Sequence, residues 1–174
     1  MKKLIFILFF FNLNLAYANN DIAYMNLQYI LSNSDIGIHY NKLLLKSENE
    51  NKKKLEKLQS VLKASEQEIN NKKNILKKEE LNQKIKSLNN SLIQFKKTRE
   101  NLNNELLEKK KKYTQEVVKI LNPILTNYVE NNSILIVFDK KNIVVGKKTL
   151  DITNDLIILL NKETKQIELK SNDQ

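Results

Sequence analysis

The side chains that could perform chemistry are few in this sequence and lie far apart. His39 is the only histidine, and the chain has no cysteine, so zinc, iron–sulfur and thiol sites are not expected. Two glycines cannot form a phosphate-binding loop, and no serine has a Gly-x-Ser-x-Gly context. The pair Glu79 and Glu80 lies among lysines and is interpreted as solvated charge. We predict no catalytic residue, no metal and no cofactor, and the chain is not expected to be an enzyme.

Lysine is the one residue type with a charged side chain that is concentrated in one part of the sequence. Residues 46–112 contain 19 basic and 10 acidic residues, a net charge of +9. A compositional bias toward lysine could explain the high lysine content, but it does not easily explain why the excess charge is confined to this segment. Nucleic acid is not expected as a partner, because the basic segment lacks the interleaved aromatic residues that bind single strands. An anionic membrane surface is an alternative partner, since the four lysines at 109–112 could attract acidic headgroups.

A very long helical segment must position these lysines. Residues 38–122 contain neither glycine nor proline, the strongest breaks in regular structure. Apolar residues recur there at heptad spacing in two phases, which are Leu55, Leu62, Ile69 and Leu76, and then Leu81, Leu88, Phe95 and Leu102, with Ile85 and Leu92 as companions of the second. The step of five between the two series breaks a continuous supercoil. We predict a helical hairpin arm over residues 42–115 with its tip near residues 77–80; a continuous rod is the alternative.

The flanking residues 19–41 and 116–174 predict a small body that contains β-strands. Strands are expected at 22–25 and 133–138, and a returning strand at 143–145 follows a turn at 139–142. Pro123 should interrupt or kink the entering helix, and Asp151 or Thr153 should cap a last helix over 154–162. The predicted fold class is mainly α, with a long antiparallel helical hairpin projecting from a small β body.

The predicted strands are more apolar than a single small body requires. We interpret them as part of a subunit interface, with a plain monomeric core as the alternative. The residues assigned to oligomerisation are Ile22, Tyr24, Ile134, Ile136, Phe138, Ile143 and Val145.

The N-terminus is typical of an export signal. Lys2 and Lys3 precede an apolar run, and Ala16-Tyr17-Ala18 has the small-x-small pattern of a signal peptidase site. We predict a signal peptide at residues 1–18 that is cleaved after Ala18. The apolar run is too short to span about 30 Å of hydrocarbon, which disfavours an uncleaved anchor.

Three stretches of this chain resemble the Skp (OmpH-like) family of periplasmic chaperones. They are the opening strand at 22–26, the segment from Leu121-Asn122-Pro123-Ile124 into residues 133–139, and the Asp151-Ile152-Thr153 element that starts the last helix. The resemblance spans essentially the whole chain after residue 18. The Asp-Ile-Thr element is its most specific part, since any charged coiled coil would match the arm.

The resemblance implies a homotrimer in the periplasm, with a β-barrel-like trimerisation domain and three arms around a cavity. Such proteins bind unfolded outer-membrane proteins there without ATP. For this chain we assign client contact to apolar and basic arm residues, which are Leu88, Leu92, Ile93, Phe95, Lys72, Lys73, Lys77 and Lys78. The arms depart from the family pattern in having few aromatic or Met residues. The competing interpretation is a coiled-coil scaffold or tether of the cell envelope.

Overall fold

Two long helices extend as an arm from a small body that is built of helices and two short strands. The computed structural model describes residues 22–172, and the predicted signal peptide at 1–18 lies outside them. The elements in chain order are β1 (Ile22–Met25), α1 (Leu27–Asn33), α2 (Asp35–Lys72), α3 (Lys78–Asn131), β2 (Ile136–Asp139) and α4 (Thr153–Asn172). Two 3-10 turns, Lys140–Asn142 and Lys148–Leu150, lie between β2 and α4. The prediction of a mainly helical fold with a small β component is confirmed.

The arm consists of α2 and the antiparallel first part of α3. At about 1.5 Å rise per residue, the 38 residues of α2 extend about 57 Å. The turn at 73–77 contains no glycine or proline, and it slightly precedes the predicted tip at 77–80. Lys77 stands at the N-cap of α3 with no side-chain cap bond, so the tip is closed mainly by backbone bonds from Ile75 and Leu76 to the Lys72 carbonyl. Among residues 22–172, no helix is long and apolar enough to cross a membrane.

The hydrophobic core lies in the body, where one face of α4 meets α1, α3 and the sheet. The side chains of Ile30, Leu121, Leu156 and Leu160 are fully buried there. The spacing of four between Leu156 and Leu160 continues to the buried Thr164, so one stripe of α4 faces the core. Burial of these side chains stabilises the body, because each removes most of its apolar area from water.

The sheet differs from the one that the sequence predicts. It has two parallel strands, with Ile22 opposite Ile136 and Tyr24 opposite Phe138. The predicted returning strand at 143–145 is wrong, because these residues do not form a strand. They include the candidate interface residues Ile143 and Val145. The turn before them is the reason that no strand forms.

The Ile143 N–H donates to the Lys140 carbonyl and closes a 3-10 turn, which directs the chain away from the free edge of β2. The segment then lies beside Tyr24, whose hydroxyl donates to the Lys147 carbonyl at 3.3 Å. Gly146 fits closely there, because a Cβ atom at this position would lie 2.9 Å from the Tyr24 ring.

The end of α3 also departs from expectation. Pro123 lies inside the helix, which continues to Asn131, so the predicted interruption is wrong. Proline removes one helix hydrogen bond, and core packing of Leu121 on the preceding turn compensates for this loss. Ser133, predicted as strand, has a φ of 53° and closes the helix, with the Ile134 N–H donating to the Val129 carbonyl at 3.0 Å. Strand β2 therefore starts three residues later than predicted.

Candidate functional site: the arm and the sheet face

The two helices of the arm meet along a narrow seam. On α2 its half-buried positions alternate by three and four residues, and they are Leu55, Leu58, Leu62, Ser65 and Ile69. The matching positions on α3 are Leu81, Lys84, Leu88, Phe95, Thr98 and Leu102. Among these positions only Leu102 is buried, at 7% exposure, so the seam excludes water poorly along most of its length.

Lys84 occupies a seam position that the heptad pattern gave to Ile85. Its ammonium group lies 3.0 Å from the Glu68 carboxylate, which also accepts from Lys72 at 2.9 Å. Hydrogen bonds from Lys72 and Lys84 lower the pKa of Glu68 below its ordinary value. All three groups are partly exposed, so this link between the helices stabilises the arm only weakly. Ile85, at the next position, is 40% exposed.

The apolar residues assigned to client contact fall into two groups. Leu88 and Phe95 are half-buried and belong to the seam, so their side chains already have partners in the arm. Leu92 and Ile93 are 39% and 61% exposed and point away from the seam. Near Phe95 the arm has a shallow cleft of about 330 Å³, lined by Leu58 and Val61 from the facing helix.

The four assigned lysines surround the turn of the arm. Lys72 pairs with Glu68, while Lys73, Lys77 and Lys78 are exposed. Ile75, which sequence reasoning missed, is 80% exposed between them. Val61 and Leu107 were also missed and are exposed on the arm. The signal that could have found all three is an apolar residue at a position outside the heptad seam.

At the base of the arm the contacts become tighter. The rings of Tyr40 and Tyr113 stack with their centroids 4.3 Å apart and nearly parallel, joining α2 to α3. Burial, and next the nearby charge of Glu116, raise the pKa of the Tyr40 hydroxyl. The side-chain amide of Asn51 also donates to the Leu102 carbonyl at 3.4 Å. The arm is therefore held more firmly near the body than at its tip.

The Asp151-Ile152-Thr153 element joins four parts of the body. The Asp151 carboxylate accepts from the Thr153 N–H at 3.1 Å, which caps α4, and from Lys140 at 3.0 Å. The Ile152 N–H donates to the Tyr24 carbonyl on β1, and the Thr153 hydroxyl accepts from the Asn26 N–H at 2.9 Å. This confirms the predicted capping of the last helix, which begins at Thr153 and runs to Asn172, well beyond the predicted end.

Charge on Asp151 strengthens this junction. Burial alone would raise the pKa of the Asp151 carboxyl, but hydrogen bonds from Thr153 and Lys140 outweigh it, and the pKa lies below its ordinary value. The Lys140 ammonium also lies 5.6 Å from the centre of the Tyr24 ring. The Asp151-Ile152-Thr153 element thus has a structural role, because its side chains and backbone N–H groups form the hydrogen bonds that join these parts of the body.

One face of the sheet is apolar and uncovered. Ile22, Ile136 and Phe138 point to it and are each about half exposed. Val144 and Val145 beside it are 101% and 90% exposed. Two of the residues assigned to oligomerisation, Tyr24 and Ile134, are instead buried within the chain itself. Among the described residues, no group of three or more His, Asp or Glu side chains is arranged to hold a metal ion.

The fold and these surfaces define a protein with a small, tightly linked body and a long, basic, thinly packed helical arm. The family described as Outer membrane protein (OmpH-like) matches residues 21–160, and the chain belongs to this family. A crystal structure of a chain from Caulobacter crescentus CB15, described as a candidate OmpH-like outer membrane chaperone, has the same fold with a TM-score of 0.72. The two chains are 14% identical, and the likeness covers 82% of this chain and 85% of that one. Among curated proteins, none matches this chain significantly.

Proposed function

We propose that this protein is an ATP-independent holdase chaperone of the periplasm. It binds unfolded outer-membrane β-barrel proteins and prevents their aggregation before membrane insertion. Membership of the OmpH-like family supports a chaperone role, and the observation that carries the proposal is the surface of the arm. Leu92, Ile93, Val61 and Ile75 are exposed there among lysines and are not needed by the seam.

This surface suits a client that has no fixed structure. An unfolded β-barrel protein exposes apolar strand faces and unpaired strand edges, both of which promote aggregation. Scattered apolar side chains, such as Leu92 and Ile93, can cover such segments through many weak contacts. Lysines at the tip, Lys73, Lys77 and Lys78 among them, would speed the encounter with acidic clients.

Assembly into a homotrimer is part of the proposal. The uncovered sheet face, formed by Ile22, Ile136 and Phe138, supports burial against other copies of the chain. The exposed Val144 and Val145 would then be covered in a β-barrel-like body shared between subunits. Three arms would enclose a cavity for the client.

The protein would work outside the cytoplasm after cleavage of the signal peptide behind Ala18. The four lysines at 109–112 are all exposed and could hold the base of the arm near an anionic membrane surface. That contact is secondary to client binding in this account.

Co-elution of a client with the mature chain tests the proposal. A urea-denatured outer-membrane β-barrel protein is diluted into buffer with residues 19–174, without ATP, and the mixture is separated by gel filtration. We expect the client to elute with the chaperone, and the double variant Leu92→Ser/Ile93→Ser to retain several-fold less. Ile158→Ser, at an exposed apolar site of the body, is the matched control. Equal retention by the arm variant and the control would contradict the assignment of client contact to the arm.

The role of charge at the tip has its own test. Replacing Lys72, Lys73, Lys77 and Lys78 by Glu should weaken suppression of aggregation without changing the oligomeric state. A matched variant with Glu at all four positions of 109–112 makes the same change of charge at the base of the arm. Unchanged suppression by the tip variant would refute the charge role, and equal loss in both variants would show that only net charge matters.

A further inference from the structure

The side chain of Asn161 on α4 forms a hydrogen bond with the first residue of α2. The Asn161 side-chain oxygen accepts from the Asp35 N–H at 2.8 Å, across 126 positions of sequence. Asp35 is the first residue of α2, and its N–H has no partner within the helix. Asn161 lies one residue beyond the segment 21–160 that matches the family.

Two further N–H groups of this turn, those of Gly37 and Ile38, are satisfied locally. The Ser34 hydroxyl, which is buried, accepts from the Gly37 N–H at 3.2 Å, and the Ser34 carbonyl accepts from the Ile38 N–H at 2.8 Å. These bonds lie within one stretch of chain and move with the helix. They stabilise the first turn of α2, and the close approach of Gly37 to the Leu31 carbonyl holds that turn against α1.

Asn161 can fix the direction of α2 because its own helix is held by the core. Its neighbour Leu160 is fully buried, and the Thr164 hydroxyl, also buried, donates to the Leu160 carbonyl at 3.0 Å. Lys165 adds only a long ion pair to Asp35 at 3.9 Å, with both side chains largely exposed, so its contribution is small. In addition to the packing of Ile36 and Tyr40 against the core, the amide of Asn161 supplies a short, directional hydrogen bond between α4 and the start of the arm.

The second helix of the arm is a weaker support at this point. Helix α3 enters the body with Pro123 in its interior, so the Lys119 carbonyl receives no helix hydrogen bond from that position. Helices bend most readily at such sites. Beyond the stacked Tyr40 and Tyr113 at the base, the thin seam between α2 and α3 transmits little restraint from one helix to the other.

We propose that Asn161 is a positioning residue that ties the start of α2 to α4 and thereby fixes the direction of the arm. The effect is amplified by length, since a change of about 5° in direction moves the tip by about 5 Å over the ~57 Å of α2. This inference concerns the geometry of the arm and does not depend on what the arm binds.

The absence of cysteine from the chain allows a direct test. Spin labels at Lys57→Cys on the arm and Glu130→Cys on the body, both exposed positions, report the distance between the two parts. An excess of unlabelled protein isolates distances within one chain if the protein oligomerises. Pulsed electron–electron resonance then gives the distribution of distances for the parent and for each variant.

Asn161→Ala removes the acceptor, and Asn161→Asp keeps one. Tyr128→Phe is the matched control, because it removes a hydrogen bond of 2.6 Å from Tyr128 to Asp155 that joins α4 to α3 rather than to α2. We expect a distribution roughly twice as wide in Asn161→Ala, given the lever length, and the parent width in the other two variants.

Two results would overturn the proposal. One is a parent-like width in a folded Asn161→Ala protein. The other is loss of folding in Asn161→Ala while Tyr128→Phe stays folded, because Asn161 would then act on the stability of the body and not on the arm. Circular dichroism at the temperature of labelling separates these outcomes.

Discussion

The body and the arm of this chain are stabilised in different ways. In the body, Ile30, Leu121, Leu156 and Leu160 are fully removed from water, and the Asp151 element closes the surrounding polar groups. Along the arm only Leu102 is buried, and the remaining seam contacts are half exposed or polar. The body is thus stabilised by a buried hydrophobic core. The two helices of the arm are joined only by a narrow stripe of contacts along their length.

The difference teaches how one small protein can be both firm and adaptable. Helical stability in proteins comes mainly from packing an apolar face, so an arm with little packing opens locally at low cost. The body keeps the sheet and the base of the arm in place while that happens. A holdase that accepts many clients needs this combination, and an arm with a fully apolar seam would not provide it.

The largest expected effect is the loss of stability when a side chain in the core of the body, rather than in the seam of the arm, is shortened. Leu156→Ala in the body should lower the free energy of unfolding by about 2–5 kcal/mol, because a fully buried side chain leaves a cavity. Leu62→Ala in the half-exposed seam should lower it by only about 1 kcal/mol. Urea unfolding followed by circular dichroism measures both. Equal losses would mean that the arm is packed as tightly as the body.

The next effect concerns the junction between the two regions. A Cβ atom at Gly37 would overlap the carbonyl oxygen of Leu31, so α1 and α2 would have to move apart in Gly37→Ala. We expect a net loss of about 1–2 kcal/mol in the free energy of unfolding, although alanine is the better helix former by about 1 kcal/mol. Gly146→Ala is the control, since its closest contact is the Tyr24 ring and a side chain can shift more easily than backbone. A stabilised Gly37→Ala protein would show that this junction is loose.

The Asp151 junction should make the stability of the body depend on pH. Because the pKa of Asp151 is lowered in the folded protein, its stabilisation is present above the unfolded pKa of about 4 and is lost as the pH falls through the folded value. Asp151→Ala should therefore cost about 1 kcal/mol at neutral pH and clearly less in acid. Urea unfolding at both pH values, with Asn154→Ala as the neighbouring control, measures the difference. A cost that does not change with pH would remove the charge from the explanation.

The smallest effect is a gain. Ser133 adopts a left-handed conformation that glycine accepts without strain, so Ser133→Gly should raise the free energy of unfolding by about 0.5–1 kcal/mol. Asn132, with a φ of −106°, has no such strain, and Asn132→Gly should give no gain. Thermal unfolding compares the two variants. If both behave alike, the end of α3 is not strained.

Much of the fold follows from local sequence. The strand at Ile22–Met25 and the cap at Asp151 were predictable because β-branched and aromatic residues, or a short acidic side chain before an apolar stripe, act within a few positions. The long helical segment was predictable from the absence of glycine and proline. In each case the deciding interactions lie close together in the chain.

The errors lie where distant residues decide. Residues 143–145 have a strand-like composition, but the 3-10 turn before them and the hydrogen bond from the Tyr24 hydroxyl to the Lys147 carbonyl hold the segment beside Tyr24. Ile85 fits a heptad, yet Lys84 takes the seam position beside Glu68 of the facing helix, and Ile85 is exposed. Asn161 gave no sequence signal, because its partner lies 126 positions away.

Light scattering of a diluted client is the most direct test of the proposed holdase activity. A urea-denatured outer-membrane β-barrel protein is diluted with and without the mature chain, in the absence of ATP, while aggregation is followed over time. We expect suppression of aggregation that is complete near one trimer of the chaperone per client. Unchanged aggregation in the presence of folded, helical protein would contradict it and would favour a scaffold or tether of the cell envelope.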